Sequence, residues 1–201
     1  MYSESPESSN PPAGIPTFSS PGIAGMMPPD EGASGLPEIQ RLSGDSRLAR
    51  ITPHSHVTHT IGYCSRFARE FIRSDYNFCA SKLTLARGGK LRAIEASFKS
   101  TEEWINKTLD WLSTRTSRTM AMTYDRIELN IPHPLAGRLI RLLNEYDTIF
   151  ERSASAVFSD MLDGESRNNI LRNAERRIGK IHLVCQPDND RFDFDGALFE
   201  E

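Results

Sequence analysis

The 201-residue sequence predicts a mainly helical protein built around one short β-strand, and three observations carry that prediction. Between Thr123 and Pro132 apolar and polar residues alternate strictly: Ile127, Leu129 and Ile131 take one face, and Arg126, Glu128 and Asn130 take the other. A proline closes this strand, and an amphipathic helical pattern follows at once. No second strand of similar quality lies near it, and a lone strand needs a partner, which a second copy of the chain could supply. Two such strands paired across a two-fold axis make a ribbon narrow enough for the DNA major groove. The expected fold is therefore a ribbon-helix-helix core with additional N-terminal helices.

The helix after Pro132 accepts Pro134 in its first turn and buries Leu135, Leu139, Leu142 and Tyr146, leaving Arg138, Arg141 and Glu145 outside. A loop is expected over Thr148 to Arg152. Ser153 then caps a second helix with Val157, Phe158, Met161 and Leu162 on its core face, ending at Gly164. A further helix, Glu165 to Gly179, sets Ile170, Leu171, Ala174 and Ile178 against Arg167, Arg172, Arg176 and Arg177, and Ile181 to Cys185 reads as a short strand.

Upstream, Ile61, Cys64, Phe67 or Ala68, and Phe71 with Ile72 recur at helical steps from Thr58 onward. Residues 74 to 89 are less regular, and Gly88-Gly89 breaks the chain before a second run, Leu91 to Leu112. Ser100 and Glu103 have capping-box spacing, which leaves open whether that run is one helix or two. Trp104 and Trp111 read as packing residues. Ser113 to Met122 is polar and reads as an exposed arm.

Composition divides the chain into a Pro/Ser/Gly-rich tail over 1–45, an N-terminal helical region over 46–114, the ribbon-helix-helix region with an extra helix over 115–185, and an acidic tail over 186–201. Eight of the 12 prolines fall in the first 45 residues, which cannot bury enough apolar surface to offset their ordering entropy. The formal charge of −3 conceals a segregation: each tail carries −5, so residues 46 to 185 carry +7. A basic body with acidic ends is the asymmetry of a nucleic-acid binder. Residues 186–201 are expected to be loose.

Three cysteines without Cys-x-x-Cys spacing, and no secretory leader, favour a reducing cytoplasm. No apolar run reaches the roughly 18 residues of a membrane span. His54, His56 and His59 lack a companion cysteine or carboxylate, so a surface role is preferred to a metal site. Nucleotide-binding, nucleophile-elbow and His-Glu-x-x-His patterns are absent from the sequence, so the reading is non-enzymatic, with no cofactor and no evident small-molecule ligand.

The base-reading residues are expected to be Arg126, Glu128 and Asn130. Arg115 and Arg118 on the arm, with Arg152, Ser153 and Ser155 at the start of the second helix, are expected to hold the DNA backbone. The basic face Arg172, Arg176, Arg177 and Lys180 reads better as a solvated helix surface.

The block Asp125 to Asp147, then Ser153 to Leu162 and Asn169 to Ile178, resembles the AcaB-like regulators of conjugative plasmids and integrating conjugative elements. The resemblance extends over roughly residues 55 to 185. It implies an extended ribbon-helix-helix, a homodimer, binding to double-stranded promoter DNA and regulation of transfer genes. The rival reading is a structural or interaction protein of a conjugation apparatus, whose strand completes a partner's sheet without reading DNA.

Overall fold

A computed structural model describes residues 33–42, 50–51, 57–116 and 120–199. The described residues are mainly helical, with five α-helices and one two-stranded antiparallel sheet. In chain order they form β1 (Thr58–Tyr63), α1 (Arg66–Ser74), α2 (Tyr76–Leu85), α3 (Gly88–Ser113), β2 (Asp125–Asn130), α4 (Pro134–Phe158) and α5 (Gly164–Cys185). A short 3-10 turn at Asn189–Arg191 follows. None of the described helices is long and apolar enough to cross a membrane.

Strand β2 does lie where the alternation puts it, but it pairs within its own chain. Thr58 faces Asn130, Thr60 faces Glu128 and Gly62 faces Arg126. The segment expected to open a helix at Thr58 is instead β1. Its Ile61 and Tyr63 are buried while Thr58 and Thr60 are exposed, a period of two that the chance helical spacing of Ile61, Cys64 and Phe67 or Ala68 masks. The helix starts later, where the Ser65 hydroxyl accepts from the Ala68 amide.

Residues 74–89, irregular by pattern, contain α2, whose Tyr76, Cys79, Ala80 and Leu83 are fully buried. Its apolar residues do not form one stripe because it is enclosed on more than one side. Helix α3 is a single helix through Ser100 and Glu103, with Ile94, Phe98, Ile105 and Leu112 inside.

The loop expected at Thr148 to Arg152 does not exist. The stripe Leu135, Leu139, Leu142, Tyr146 continues through Ile149, Ser153 and Ala156 at the same spacing, and neither glycine nor proline falls between Tyr146 and Ala156, so α4 runs 25 residues. The helix–helix turn lies at 159–163 instead. There Asp160 adopts φ 54°, which aspartate tolerates better than most residues, and the Asp163 carboxylate caps α5 through the Ser166 amide at 2.8 Å. Nor is Ile181 to Cys185 a strand. Leu171, Ala174, Ile178, Ile181 and Cys185 are one buried stripe of α5, which passes through Gly179.

Helices α3, α4 and α5 pack on one another, and one buried cluster joins them to α1, α2 and both strands. The N-terminal helical region and the region from 115 onward therefore share a core. Glu102 of α3 grips α4 at its surface. It accepts from Arg138 Nε at 3.0 Å and Nη2 at 2.6 Å, and from Arg141 Nη2 at 2.9 Å. The Arg138 hydrogen bonds hold its carboxyl below the usual range. A carboxylate with a depressed folded pKa contributes stability above its unfolded pKa, lost as pH falls through the folded value. Glu102→Gln should cost about 1 kcal/mol at neutral pH, and the gap from the parent protein should close on acidification in urea titrations.

The described parts of both end segments fold back further than composition suggests. Within the Pro/Ser/Gly-rich segment, residues 33–42 dock on the body: Ser34 donates to Asp125, Arg69 Nη2 donates to the Glu38 carbonyl at 3.1 Å, and Leu36 and Ile39 pack against the core. The acidic segment is not loose over 186–199. Phe192 and Leu198 pair, Lys82 meets Asp188 at 2.8 Å, and Asn189 accepts from the Arg87 amide at 3.0 Å. A Cβ on Gly89 would stand 1.7 Å from the Asp193 carbonyl oxygen, so only glycine admits the segment this closely. Lys90, 2% exposed, donates to the carbonyls of Cys185 and Pro187 at the end of α5. A cation there complements the negative end of the helix dipole.

Candidate nucleic-acid interface

The sheet has one buried face and one outward face because its register aligns the two alternations. Ile61 and Leu129 point inward, while Arg126, Glu128 and Asn130 share the outer face with Thr58, Thr60 and Gly62. Arg126 and Glu128 are exposed and Asn130 is half-buried. Neither Arg126 nor Glu128 makes a hydrogen bond or ion pair among the described residues. The exposed neighbours Thr58 and Thr60, not singled out by the sequence reading, add two hydroxyls directly opposite Asn130 and Glu128. They become legible only once β1 is known to be a strand.

Two side chains steady the ribbon from beneath and beside. The Tyr76 hydroxyl donates to the Asn130 carbonyl at 2.6 Å, tying β2 to α2. Tyr124 covers Gly62, where an added Cβ would touch its ring at 3.3 Å, and its hydroxyl donates to Glu151 at 2.9 Å. Burial and that hydrogen bond raise the Tyr124 pKa. A ribbon two strands wide, with strands roughly 4.8 Å apart, is narrower than the roughly 12 Å major groove.

The residues expected to clamp phosphate are placed otherwise. Arg152, Ser153 and Ser155 lie inside α4, so no helix N-terminus with free N–H groups exists there. Ser153 and Ser155 are buried. Their hydroxyls donate to the Phe150 and Glu151 carbonyls, and the Ser155 hydroxyl also accepts from the Met120 amide at 2.8 Å. Ser155 therefore anchors the arm that leads into β2. Arg152 donates to the Leu109 carbonyl at 3.4 Å and borders a polar hollow of about 370 Å³ with Ser113, Thr116, Thr148 and Glu151. Arg115 lies over the Trp111 ring at 4.0 Å. Arg118, like His54 and His56, lies outside the described residues. The start of α5 follows the α4 turn, but Asp163 and Glu165 make it acidic and unsuited to phosphate.

Titratable groups near the ribbon are arranged for packing. The Cys64 amide donates to Asp147 at 2.9 Å, and burial, then the Asp147 charge, pushes the Cys64 thiol up to about 12. A thiol so raised stays protonated at neutral pH and is a poor nucleophile. His59 is exposed on β1, and no cluster of metal-binding side chains occurs among the described residues.

Comparisons with protein-family models, with curated proteins and with solved structures returned no match to this chain.

Proposed function

We propose that the chain is a sequence-specific DNA-binding regulator that reads bases with the outer face of its own two-stranded ribbon. The supporting observation is that face itself: a narrow antiparallel pair presenting a guanidinium, a carboxylate, an amide and two hydroxyls, whose side chains have no hydrogen-bond or ion-pair partner among the described residues. Those are the groups that recognise base edges. A strand followed by two helices is the chain order expected of a ribbon-helix-helix, but β1 completes the ribbon within one chain, so the proposal rests on the outer face of this ribbon and not on a two-chain one.

One ribbon offers few base contacts, so operator-grade affinity calls for two copies on paired half-sites, and we assign a homodimer on double-stranded DNA. Control of conjugative transfer genes is the role that the AcaB-like resemblance implies. Selecting bound fragments from random duplex DNA with the purified chain should enrich one motif of two related half-sites. Fragments with no shared motif would leave the interaction-protein reading in its place.

A further inference from the structure

A groove of about 550 Å³ runs between α3, α5 and the returning C-terminal segment, on a part of the protein that the DNA reading does not use. Its two ends differ in chemistry. The end beneath the C-terminal segment is apolar, formed by Ala93, Val184, Pro187, Phe192 and Leu198. The other end holds Arg177 and Lys180 of α5, level with Ser97, Ser100 and Thr101 of α3; the Thr101 hydroxyl lies 3.5 Å from the Arg177 carbonyl oxygen. Among the described residues no acidic side chain lines the groove and neither Arg177 nor Lys180 joins an ion pair; the Arg177 guanidinium lies over the Trp104 ring at 5.1 Å.

Ser97 marks the polar end independently. Helical hydroxyls in this fold habitually donate to the carbonyl four residues back: Ser81, Thr84, Thr101, Thr108 and Ser155 all do so. Ser97 lines the groove and is 8% exposed; its hydroxyl oxygen is covered and has no hydrogen-bond partner among the described residues. An unpartnered buried hydroxyl is costly unless something else satisfies it.

The geometry points to a binding site for a small amphipathic carboxylate of medium chain length. Its acid group would sit at Arg177 and Lys180, at the end of the groove where Ser97 lies, and its chain would lie along Ala93 and Val184 beneath the C-terminal segment. Seven helical residues separate Arg177 from Val184, a span of about 10 Å, which sets the length of the chain. The volume falls in the range of small-ligand clefts. This inference stands whether or not the ribbon touches DNA.

Octanoate is a suitable probe, with octan-1-ol as the uncharged match and acetate as the chainless one. Calorimetric titration of the full chain should show one octanoate site with a dissociation constant below about 1 mM, and octan-1-ol and acetate each at least about tenfold weaker. The double variant Arg177→Gln, Lys180→Gln should lose about tenfold in octanoate affinity. Ala96→Phe, at an exposed groove position, should abolish binding while circular dichroism confirms the fold. Three results would overturn the site: no saturable octanoate binding, equal affinity for octan-1-ol, or full affinity in the double variant. A fourth is an Ala96→Phe variant that turns a dimer into a monomer, because a second copy would then be the occupant.

Discussion

Replacing Lys90 with alanine is expected to destabilise the protein by about 3 kcal/mol and to free the C-terminal segment from α3. The side chain is 2% exposed, and its ammonium group is donated to the Cys185 and Pro187 carbonyls, where α5 ends and the segment turns back. Truncation leaves carbonyl oxygens without partners, costing about 1–3 kcal/mol, and adds a void where the butyl stem lay. Lys90→Met keeps most of that volume and should cost less. Urea midpoints rank the two variants, and protease cleavage within 186–199 reports release of the segment. A Lys90→Ala midpoint equal to the parent's would show that Gly89 and Asn189 hold the segment without it.

The same lysine gives a signed pH dependence. Burial, and next the Lys82 charge, lower its pKa from 10.5. Between the folded pKa and 10.5 the unfolded chain holds more protons than the folded one, so stability rises with pH across that window. Lys90→Met should flatten this rise.

Neither the lysine's role nor the docking of the acidic segment is visible in the sequence, because both depend on atoms about a hundred residues apart. Gly89 reads as a helix break, yet it admits the Asp193 backbone, and Lys90, which no local pattern marks out, caps a distant helix. Strand β2 is legible for the opposite reason: one buried face imposes alternation on the sequence itself, and Arg126, Glu128 and Asn130 do point outward. Its partner is not, since Gly62 meets Arg126 across 64 positions and β1's apolar spacing also fits a helix. Ser153 misled for a third reason. A serine favours caps by propensity, but here the apolar stripe on either side of it keeps the helix running and buries it.

Arg126→Ala should weaken specific DNA binding by about 1–3 kcal/mol and relax the preference at one base position, while leaving stability within about 0.5 kcal/mol. The two effects separate because the side chain is exposed and has no partner among the described residues. Arg126→Lys should recover charge without the bidentate fork, restoring affinity more than base preference. Asn130→Ala should relax the preference at an adenine, since an amide matches that base's paired donor and acceptor. Glu128 carries the opposite sign of expectation. A carboxylate facing phosphates opposes binding to random DNA, so under the proposed reading Glu128→Gln should strengthen non-specific binding while losing selectivity for a cytosine, from whose amino group the carboxylate would accept a hydrogen bond. If the complex neutralises about six phosphates, affinity should fall roughly a thousandfold between about 50 and 200 mM salt. Gel-shift series on selected and scrambled duplexes measure all of these together. An Arg126→Ala variant with unchanged affinity, footprint and salt slope would remove the ribbon from the interface, because among the described residues this face has no other guanidinium with which to read a base.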